Sequence, residues 1–355
     1  MTEIEPFVFP GLRSRVIFGH GTIAETATEI ARLGRTRPMV LSTPNQKAAA
    51  EALAQRLGSL CVGAFAGAAM HTPVEVTETA LTTFRERGAD CVVALGGGST
   101  TGLGKAIAVR TGADQVVIPT TYAGSEMTDI LGETMGGEKK TRRDPAILPE
   151  TVIYDVDLTM SLPVGLTIAS GLNAMAHAAE ALYAPDRNPV ISLLSGEGVR
   201  ALVRALPGVA AYPGDRDARA TALYGAWACG VALGGASMAL HHKLCHALGG
   251  SFDMPHAETH AVILPHSIGF NAAAAAELLA PVSAALGGSP GAALFDFAAK
   301  LGAPTSLKQL GLREADLDRA TDIAARNPYW NPRPFDRAAI RTLLQEAWEG
   351  KRPKQ

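Results

Sequence analysis

The stretch DCVVALGGGSTTGLGKAIAV, residues 90–109, decides the fold of this chain. It joins a short apolar, β-branched run to three glycines and a serine at the start of a helical pattern (Gly96, Gly97, Gly98 and Ser99). A strand without polar alternation is typical of a parallel sheet that helices cover on both faces. Glycines let a phosphate approach the backbone, and a helix N-terminus offers unpaired N–H groups. The stretch therefore predicts a pyrophosphate site, although a triple glycine alone is equally compatible with a plain tight turn.

Short β-rich runs alternate with helical patterns over residues 1–160. The β-rich runs are SRVIFG, RPMVLST, CVGAFAG and QVVIPTT. A second polar turn, IPTTYAGSEMT, follows the strand after the glycines and supplies further donors (Thr120, Thr121, Ser125 and Thr128). Because ligands of open α/β sheets bind at the carboxyl edge, the two turns together favour a nucleotide site over a plain turn.

The second half of the chain has a different pattern, alanine-rich and helical, which begins after TVIYDVDLTMSLP. The expected helix breaks are at four prolines: Pro207, Pro213, Pro255 and Pro265. Pro163 is suited to open the first helix, since proline is tolerated in a helix's first turn. The chain is predicted as an α/β nucleotide-binding domain with a parallel sheet, residues 1–160, and an all-α domain, residues 161–355.

Composition and charge exclude several classes of partner. The chain is 47% hydrophobic and 19% charged with a net charge of −2, which argues against a nucleic-acid surface or a basic membrane anchor. No apolar run is long enough to span a bilayer and the start lacks a signal-peptide pattern, so a cytoplasmic location is expected. The four cysteines form no CxxC pair and are interpreted as reduced, mostly buried thiols. A small-molecule partner is favoured.

Seven of the nine histidines lie at position 177 or within residues 241–266, which is a concentration that even scatter would not produce. On a helix, Asn173 and His177 share one face, and so do His242 and His246. A single histidine on an alanine-rich helix is more often structural. Two such pairs together favour a functional site.

A third partner, His256, follows beyond Gly249 and Gly250, which are expected to end the preceding helix. We interpret His260 and His266 as structural.

With the GGGS turn, the PTT-x-x-GSE turn and this histidine spacing, the chain resembles the iron-containing alcohol dehydrogenases and their dehydroquinate synthase-like fold. The resemblance runs from FGHG near the start through DVDLTMSLP to NPRP near the end. It implies a nicotinamide cofactor and suggests a homodimer. Ser42 follows RPMVL, where an NAD-selective site would place an acidic residue, so either NADH or NADPH is expected.

In that family an aspartate and three histidines hold a divalent metal, and the matching positions here are Asn173, His177, His242 and His256. A histidine matching His246 lies near the nicotinamide. A neutral amide at Asn173 cannot supply the carboxylate charge that such metals favour.

A second acidic residue of the family is also replaced, since Gly102 stands where the family has an acid after GGGS, whereas Lys105 is kept as an expected cofactor contact. Together with ALHHKLCHALGG and NPYWNPRP, these losses are similar to a branch of the family that works without a metal. No metal is therefore expected.

That branch acts on a small dianionic keto acid with an activated carbon–carbon double bond. Conjugate hydride addition to such a substrate produces an enolate, so the site needs donors for two carboxylates and a proton source more than a Lewis acid. We assign His242 and His246 to the enolate, as polariser and proton donor. His177, His256 and Lys243 are assigned to the carboxylates, and the division of roles among the histidines stays open.

Three alternatives also stay open. The first is a metal-dependent alcohol dehydrogenase that uses Asn173 as a neutral ligand, which chelator sensitivity would reveal. The second is a lyase of the dehydroquinate synthase type, which would give no net change in nicotinamide absorbance. The third is a non-catalytic binding protein, against which the retention of Lys105 and of three histidines argues.

Overall fold

The computed structural model describes residues 6–9, 11, 13–136 and 138–354. They divide into two compact units. The α/β unit lies within residues 11–162, and the helical unit consists of residues 6–9 together with the chain from Pro163 onward. The α/β unit extends two residues beyond the predicted boundary, and Leu162 N–H donates to the oxygen of Thr159 in its last turn. The sequence does not predict that residues 6–9 belong to the helical unit.

The α/β unit contains strands β1 (Arg15–Gly19), β2 (Pro38–Leu41), β3 (Gly63–Phe65), β4 (Cys91–Gly96), β5 (Asp114–Pro119), β6 (Ile130–Met135), β7 (Glu138–Arg143) and β8 (Thr151–Asp155). Its helices are α1 (Thr26–Arg32), α2 (Lys47–Leu57), α3 (Val74–Glu86) and α4 (Gly98–Thr111). Six strands form a parallel sheet in the order β1-β8-β5-β4-β2-β3. The glycine stretch thus ends a strand that lies between two others.

Strand β4 is buried on both faces, as its unbroken apolar run predicts. Val93 packs in one apolar cluster with Leu53 of α2, whereas Val92 packs in another with Leu103 of α4. Successive side chains of a strand point to opposite faces, so each face of the sheet has its own core. The predicted parallel sheet is confirmed.

A hairpin of β6 and β7 follows the second polar turn, and the sequence analysis does not predict it. Strand β7 reads EKKTRR, which lacks the β-branched residues that usually indicate a strand. Thr134 of β6 ties the hairpin to the loop after β3, because its N–H donates to the oxygen of Thr72 and its hydroxyl to that of His71.

The helical unit contains α5 (Val164–Tyr183), α6 (Pro189–Ala211), α7 (Arg216–Gly235), α8 (Leu240–Phe252), α9 (His256–Asn271), α10 (Ala280–Leu286), α11 (Pro290–Lys300), α12 (Leu317–Ala325) and α13 (Arg337–Glu349). No strand occurs among its described residues, so the predicted all-α class is confirmed. Helix α5 is buried from Thr167 to its end. It is therefore the central helix that carries Asn173 and His177.

Two of the expected helix breaks are wrong, since Pro207 lies inside α6 and Pro265 inside α9. The Gly249–Gly250 pair also lies inside a helix, and α8 continues to Phe252 before Asp253 adopts a left-handed φ of 51°. Tertiary packing along a buried helix outweighs the loss of one hydrogen bond or a low helix propensity. Only Pro213 and Pro255 fall between helices as expected.

Within the described part of the chain, no single helix combines the length and apolarity of a membrane span. The pair α7 and α8, bent by 97°, meets that criterion only when the two helices are taken together.

Candidate active site

The glycine turn is packed so closely that side chains do not fit there. Gly96 ends β4 with a φ of 156°, and a Cβ on it would lie 2.4 Å from Thr100 Oγ1. A Cβ on Gly97 would lie 2.9 Å from Thr121 Oγ1. Helix α4 begins at Gly98, one residue before the predicted start, and Gly97 has no side chain with which to cap it. The first-turn N–H groups are thus suited to an anionic group, as the sequence predicts.

The threonines after β5 lie beside this turn. Thr120 N–H donates to the oxygen of Gly96 at 3.1 Å, which holds the two turns together. Thr120 Oγ1 accepts a hydrogen bond of 2.9 Å from Gln46, which lies in the turn before α2. Gln46 therefore joins the turn after β2 to the turn after β5. Gln46 is not predicted from the sequence, because no local pattern shows which turn a glutamine reaches.

Lys105 has a different role from the predicted cofactor contact. Its Nζ lies 2.6 Å from Ser125 O, 2.7 Å from Thr128 O, 2.8 Å from Thr128 Oγ1 and 2.9 Å from Ile130 O. An ammonium has three hydrogens, so these protein oxygens use all of them. Burial lowers the pKa of the fully buried Lys105 to about 7, whereas the four oxygens favour its charged form. This geometry assigns Lys105 to holding the turn of Ser125 and Thr128 rather than to touching a ligand.

Ser42 is also turned inward. Its side chain is fully buried and its hydroxyl donates to the oxygen of Thr43. Its backbone N–H donates to Phe65 O and its oxygen accepts from Ala68 N–H. A ribose contact by the Ser42 hydroxyl is therefore not supported by this geometry.

In the helical unit, a buried carboxylate orients His242. Glu180 of α5 accepts hydrogen bonds from Ala239 N–H at 2.8 Å, His241 N–H at 2.7 Å and His242 Nδ1–H at 2.7 Å. A neutral His242 that donates from Nδ1 offers the lone pair of Nε2, which lies 2.8 Å from His177 Nδ1. Sequence reasoning misses Glu180, although it lies one helical turn after His177 and the spacing could have indicated it.

A second imidazole chain lies beside the first and fixes the tautomers of its members. The Ser267 hydroxyl donates to Ile263 O, so it accepts from His241 Nδ1–H at 3.0 Å. His241 Nε2 then accepts from His260 Nδ1–H at 2.9 Å, which leaves His260 Nε2 a buried acceptor with no partner among the described residues. Burial and the neighbouring imidazoles hold the pKa of His241 and of His260 well below the usual range. The ring of His260 is centred 4.5 Å from that of His256, so a residue interpreted as structural lies within the histidine cluster.

His246 and Lys243 lie on α8 beside a tyrosine that the sequence analysis does not single out. The ring centroids of His246 and His242 are 6.0 Å apart, and His246 Nδ1 lies 3.4 Å from the Tyr329 hydroxyl. Lys243 Nζ lies 5.4 Å from the centroid of the Tyr329 ring. Burial lowers the pKa of Lys243, and burial together with the charge of Glu180 raises that of Tyr329. The helical unit thus brings together a lysine, a neutral phenol and several imidazoles.

At the four positions where the resemblance to the family implies metal ligands, one ligand is replaced by a neutral side chain. Asn173 is neutral, and its buried Oδ1 has no partner among the described residues. His177 and His242 are hydrogen-bonded to each other rather than aimed at a common point. The ligand atoms of His177, His242 and His256 do not form a group within 4.8 Å of one another. These residues therefore give no support to a tightly bound divalent ion.

One group of three potential ligands does converge within the part of the chain that the structure describes: His241, Cys245 and His260. His241 Nε2 and His260 Nδ1 are 2.9 Å apart, whereas two nitrogens on a tetrahedral zinc ion lie about 3.3 Å apart. Burial also keeps the Cys245 thiol protonated by raising its pKa. We describe this group as a hydrogen-bonded part of the core.

Two family models match the chain, "Iron-containing alcohol dehydrogenase" over residues 13–156 and "Fe-containing alcohol dehydrogenase family, C-terminal" over residues 167–348. The chain belongs to the iron-containing alcohol dehydrogenase family. It is an oxidoreductase of that family.

Curated relatives match over almost the full length. A maleylacetate reductase of Rhizobium sp. (strain MTP-10005) is 61% identical and covers 99% of this chain and 100% of its own. One from Burkholderia cepacia is 53% identical, over 98% of this chain and 99% of its own. The solved structure of maleylacetate reductase from Agrobacterium tumefaciens has a TM-score of 0.96 and 62% identity, over 99% of this chain and 100% of its own. The predicted two-part fold agrees with these relatives.

Proposed function

We propose that this chain reduces the carbon–carbon double bond of maleylacetate to give 3-oxoadipate, with NADH or NADPH and without a bound metal. The observation that carries the proposal is the full-length similarity to relatives named maleylacetate reductase. The neutral Asn173, in a cluster whose imidazoles bond one another, supports the metal-free part.

The chemistry of this substrate suits the charges of the cluster. Maleylacetate is a dianion, and hydride addition to its conjugated double bond adds a further negative charge that an enolate oxygen carries. Cationic and N–H donors stabilise such a charge in a buried site, whereas a carboxylate at position 173 would repel it. Among the described residues, the one buried carboxylate at the cluster is Glu180, which is already satisfied by backbone and imidazole N–H groups.

The nicotinamide supplies the hydride when it is bound. The glycine turn at Gly96 and Gly97 would hold the pyrophosphate, because no side chain caps the first turn of α4 and its N–H groups favour an anion. Glu180 accepts from His242 Nδ1–H and holds this imidazole in one orientation, and His242 polarises the enolate oxygen through Nε2 when that nitrogen also carries a proton. His246 donates the proton to carbon. His177, His256 and Lys243 bind the two carboxylates.

The direct test mixes the purified chain with maleylacetate and either NADH or NADPH, with and without excess chelator. We expect nicotinamide oxidation that the chelator does not change. Activity that disappears with the chelator and returns with a divalent ion would favour the metal-dependent alcohol dehydrogenase instead. A homodimer also stays a prediction, which sedimentation of the same sample tests.

Replacing Asn173 by aspartate tests the meaning of the missing carboxylate. Asn173→Asp restores one carboxylate beside the imidazoles, so metal content should rise and kcat/KM for maleylacetate should fall. Asn173→Ala is the matched control, since it removes the amide without adding charge and should recruit no metal. Elemental analysis and steady-state kinetics measure both effects. An aspartate variant as active as the parent would contradict the proposal.

A further inference from the structure

Residues 327–334, NPYWNPRP, form a connection between α12 and α13 that we call the strap. It contains no regular secondary structure, and Asn327 at its start has a left-handed φ of 48°. Two of its aromatic side chains are partly exposed, Tyr329 at 38% and Trp330 at 49%. A segment without its own ladder of hydrogen bonds depends on side-chain contacts for its position.

Two asparagine side chains pair to hold the strap. Asn271 Nδ2 donates to Asn331 Oδ1 at 2.9 Å, and Asn331 Nδ2 donates back to Asn271 Oδ1 at 2.7 Å. Asn271 is fully buried at the end of α9. Asn331 Nδ2 also donates to Arg333 O within the strap. The reciprocal pair, which we call the latch, thus fixes a surface connection to a buried position.

The latch continues to the carboxylate that orients His242. Asn271 Nδ2 also donates to the Tyr183 hydroxyl at 3.2 Å, and that hydroxyl donates to Glu180 Oε1 at 3.3 Å. The other oxygen of Glu180 accepts from His242 Nδ1–H. One hydrogen-bonded network therefore connects the strap to the histidine proposed to polarise the enolate.

At its other end, the strap places Tyr329 beside the residues of α8 that are proposed to act on the substrate, His246 and Lys243. Its hydroxyl lies 3.4 Å from His246 Nδ1, and its ring lies under the ammonium of Lys243. The environment keeps the phenol protonated by raising its pKa. A neutral phenol is a hydrogen-bond donor to an oxyanion.

We propose that Tyr329 donates a hydrogen bond to the substrate oxyanion and that the Asn271–Asn331 latch is the device that positions it there. The proposal rests on the proposed function, of which it names a further substrate contact. Tyr329 is a catalytic residue in this proposal, because it contacts the substrate. Asn331 is a positioning residue that acts through Tyr329.

The experiment measures kcat with maleylacetate for Tyr329→Phe, Asn331→Ala and the double variant. Tyr329→Phe keeps the ring beside Lys243 and should lower kcat by about 10²-fold, the usual loss for one oxyanion donor. Asn331→Ala should lower it by about 10-fold through loss of position. Because both changes act through one hydroxyl, the double variant should be no slower than Tyr329→Phe alone. Trp330→Phe, a neighbouring change outside the latch, is the control and should keep the parent's kcat.

A second measurement follows the strap without using activity. Acrylamide quenching of Trp330, isolated by subtracting the signal of Trp330→Phe, should increase in Asn331→Ala and stay unchanged in Tyr329→Phe. Any of three results would overturn the proposal. Tyr329→Phe could keep the parent's kcat, the double variant could lose kcat by the product of the two single losses, or quenching could stay unchanged in Asn331→Ala. If the parent itself does not reduce maleylacetate, the proposed function fails, and the oxyanion role of Tyr329 fails with it. The quenching result still decides whether the latch holds the strap.

Discussion

Replacing Glu180 by glutamine should lower the free energy of unfolding of the helical unit by about 3 to 6 kcal/mol, although the two side chains have nearly the same shape. Oε1 of Glu180 accepts from His241 N–H and the Tyr183 hydroxyl, and Oε2 accepts from Ala239 N–H and His242 Nδ1–H. A glutamine must turn its NH₂ group toward one of these pairs of donors. Two charge-assisted hydrogen bonds are then lost, each worth about 1.5 to 3 kcal/mol, and the donors stay buried.

Guanidinium unfolding followed by far-UV circular dichroism measures this change for Glu180→Gln. Glu197→Gln on α6 is the matched control, because Glu197 pairs with Arg200, whose side chain is 72% exposed, and should change stability by less than about 0.5 kcal/mol. We also expect kcat to fall by about 10²-fold or more in Glu180→Gln, since His242 loses its orienting partner. A destabilisation below about 1 kcal/mol would refute the reasoning, because it would mean that the N–H groups find other acceptors.

Three further predictions concern the glycine turn, the proton donor and the pH dependence. Gly97→Val should weaken cofactor binding by more than about 10²-fold in a fluorescence titration, because even its Cβ would lie 2.9 Å from Thr121 Oγ1. Gly98→Ala should bind the cofactor better than the valine variant, because its Cβ would lie 3.8 Å from Ala123 Cβ, an ordinary contact distance. His246→Ala should lower kcat by about 10²- to 10⁴-fold with little change in the midpoint of thermal unfolding, and the reverse order would indicate a packing role. Burial lowers the pKa of His266 to about 4, so this imidazole is neutral in the folded chain and protonates more readily in the unfolded one. The free energy of unfolding should therefore decrease by about 3 kcal/mol as the pH falls from 6.5 toward 4. Urea unfolding measures this change, and a free energy that stays constant over that pH range would contradict the prediction.

Features that depend on neighbouring residues in the chain are predicted correctly from the sequence. The turn at Gly96 is such a feature, because the nearest atom that excludes a Cβ there belongs to Thr100, one turn later. The faces shared by Asn173 and His177 on α5, and by His242 and His246 on α8, follow in the same way from helical spacing.

Local signals fail where packing outweighs them. The helix breaks expected at Pro207 and Pro265 do not occur, because α6 and α9 are held by burial along their length. The hairpin strand β7 forms despite a charged sequence, since its backbone pairs with β6 residue by residue. The intrinsic helix or strand propensity of one residue contributes little to the free energy of folding, whereas burying one face of the element contributes more.

The sequence by itself determined the class of fold, the family and the histidine spacings, while the tertiary structure alone decided which polar atoms are available to a ligand. Lys105 has the residue type and position of the expected cofactor contact, yet its ammonium is used by oxygens 20 to 25 residues away. Glu180 holds His242 across 62 residues, and Asn271 holds Asn331 across 60. A hydrogen bond depends on the distance and direction between two atoms, and when these atoms lie on different helices or strands, that geometry exists only after the elements have packed.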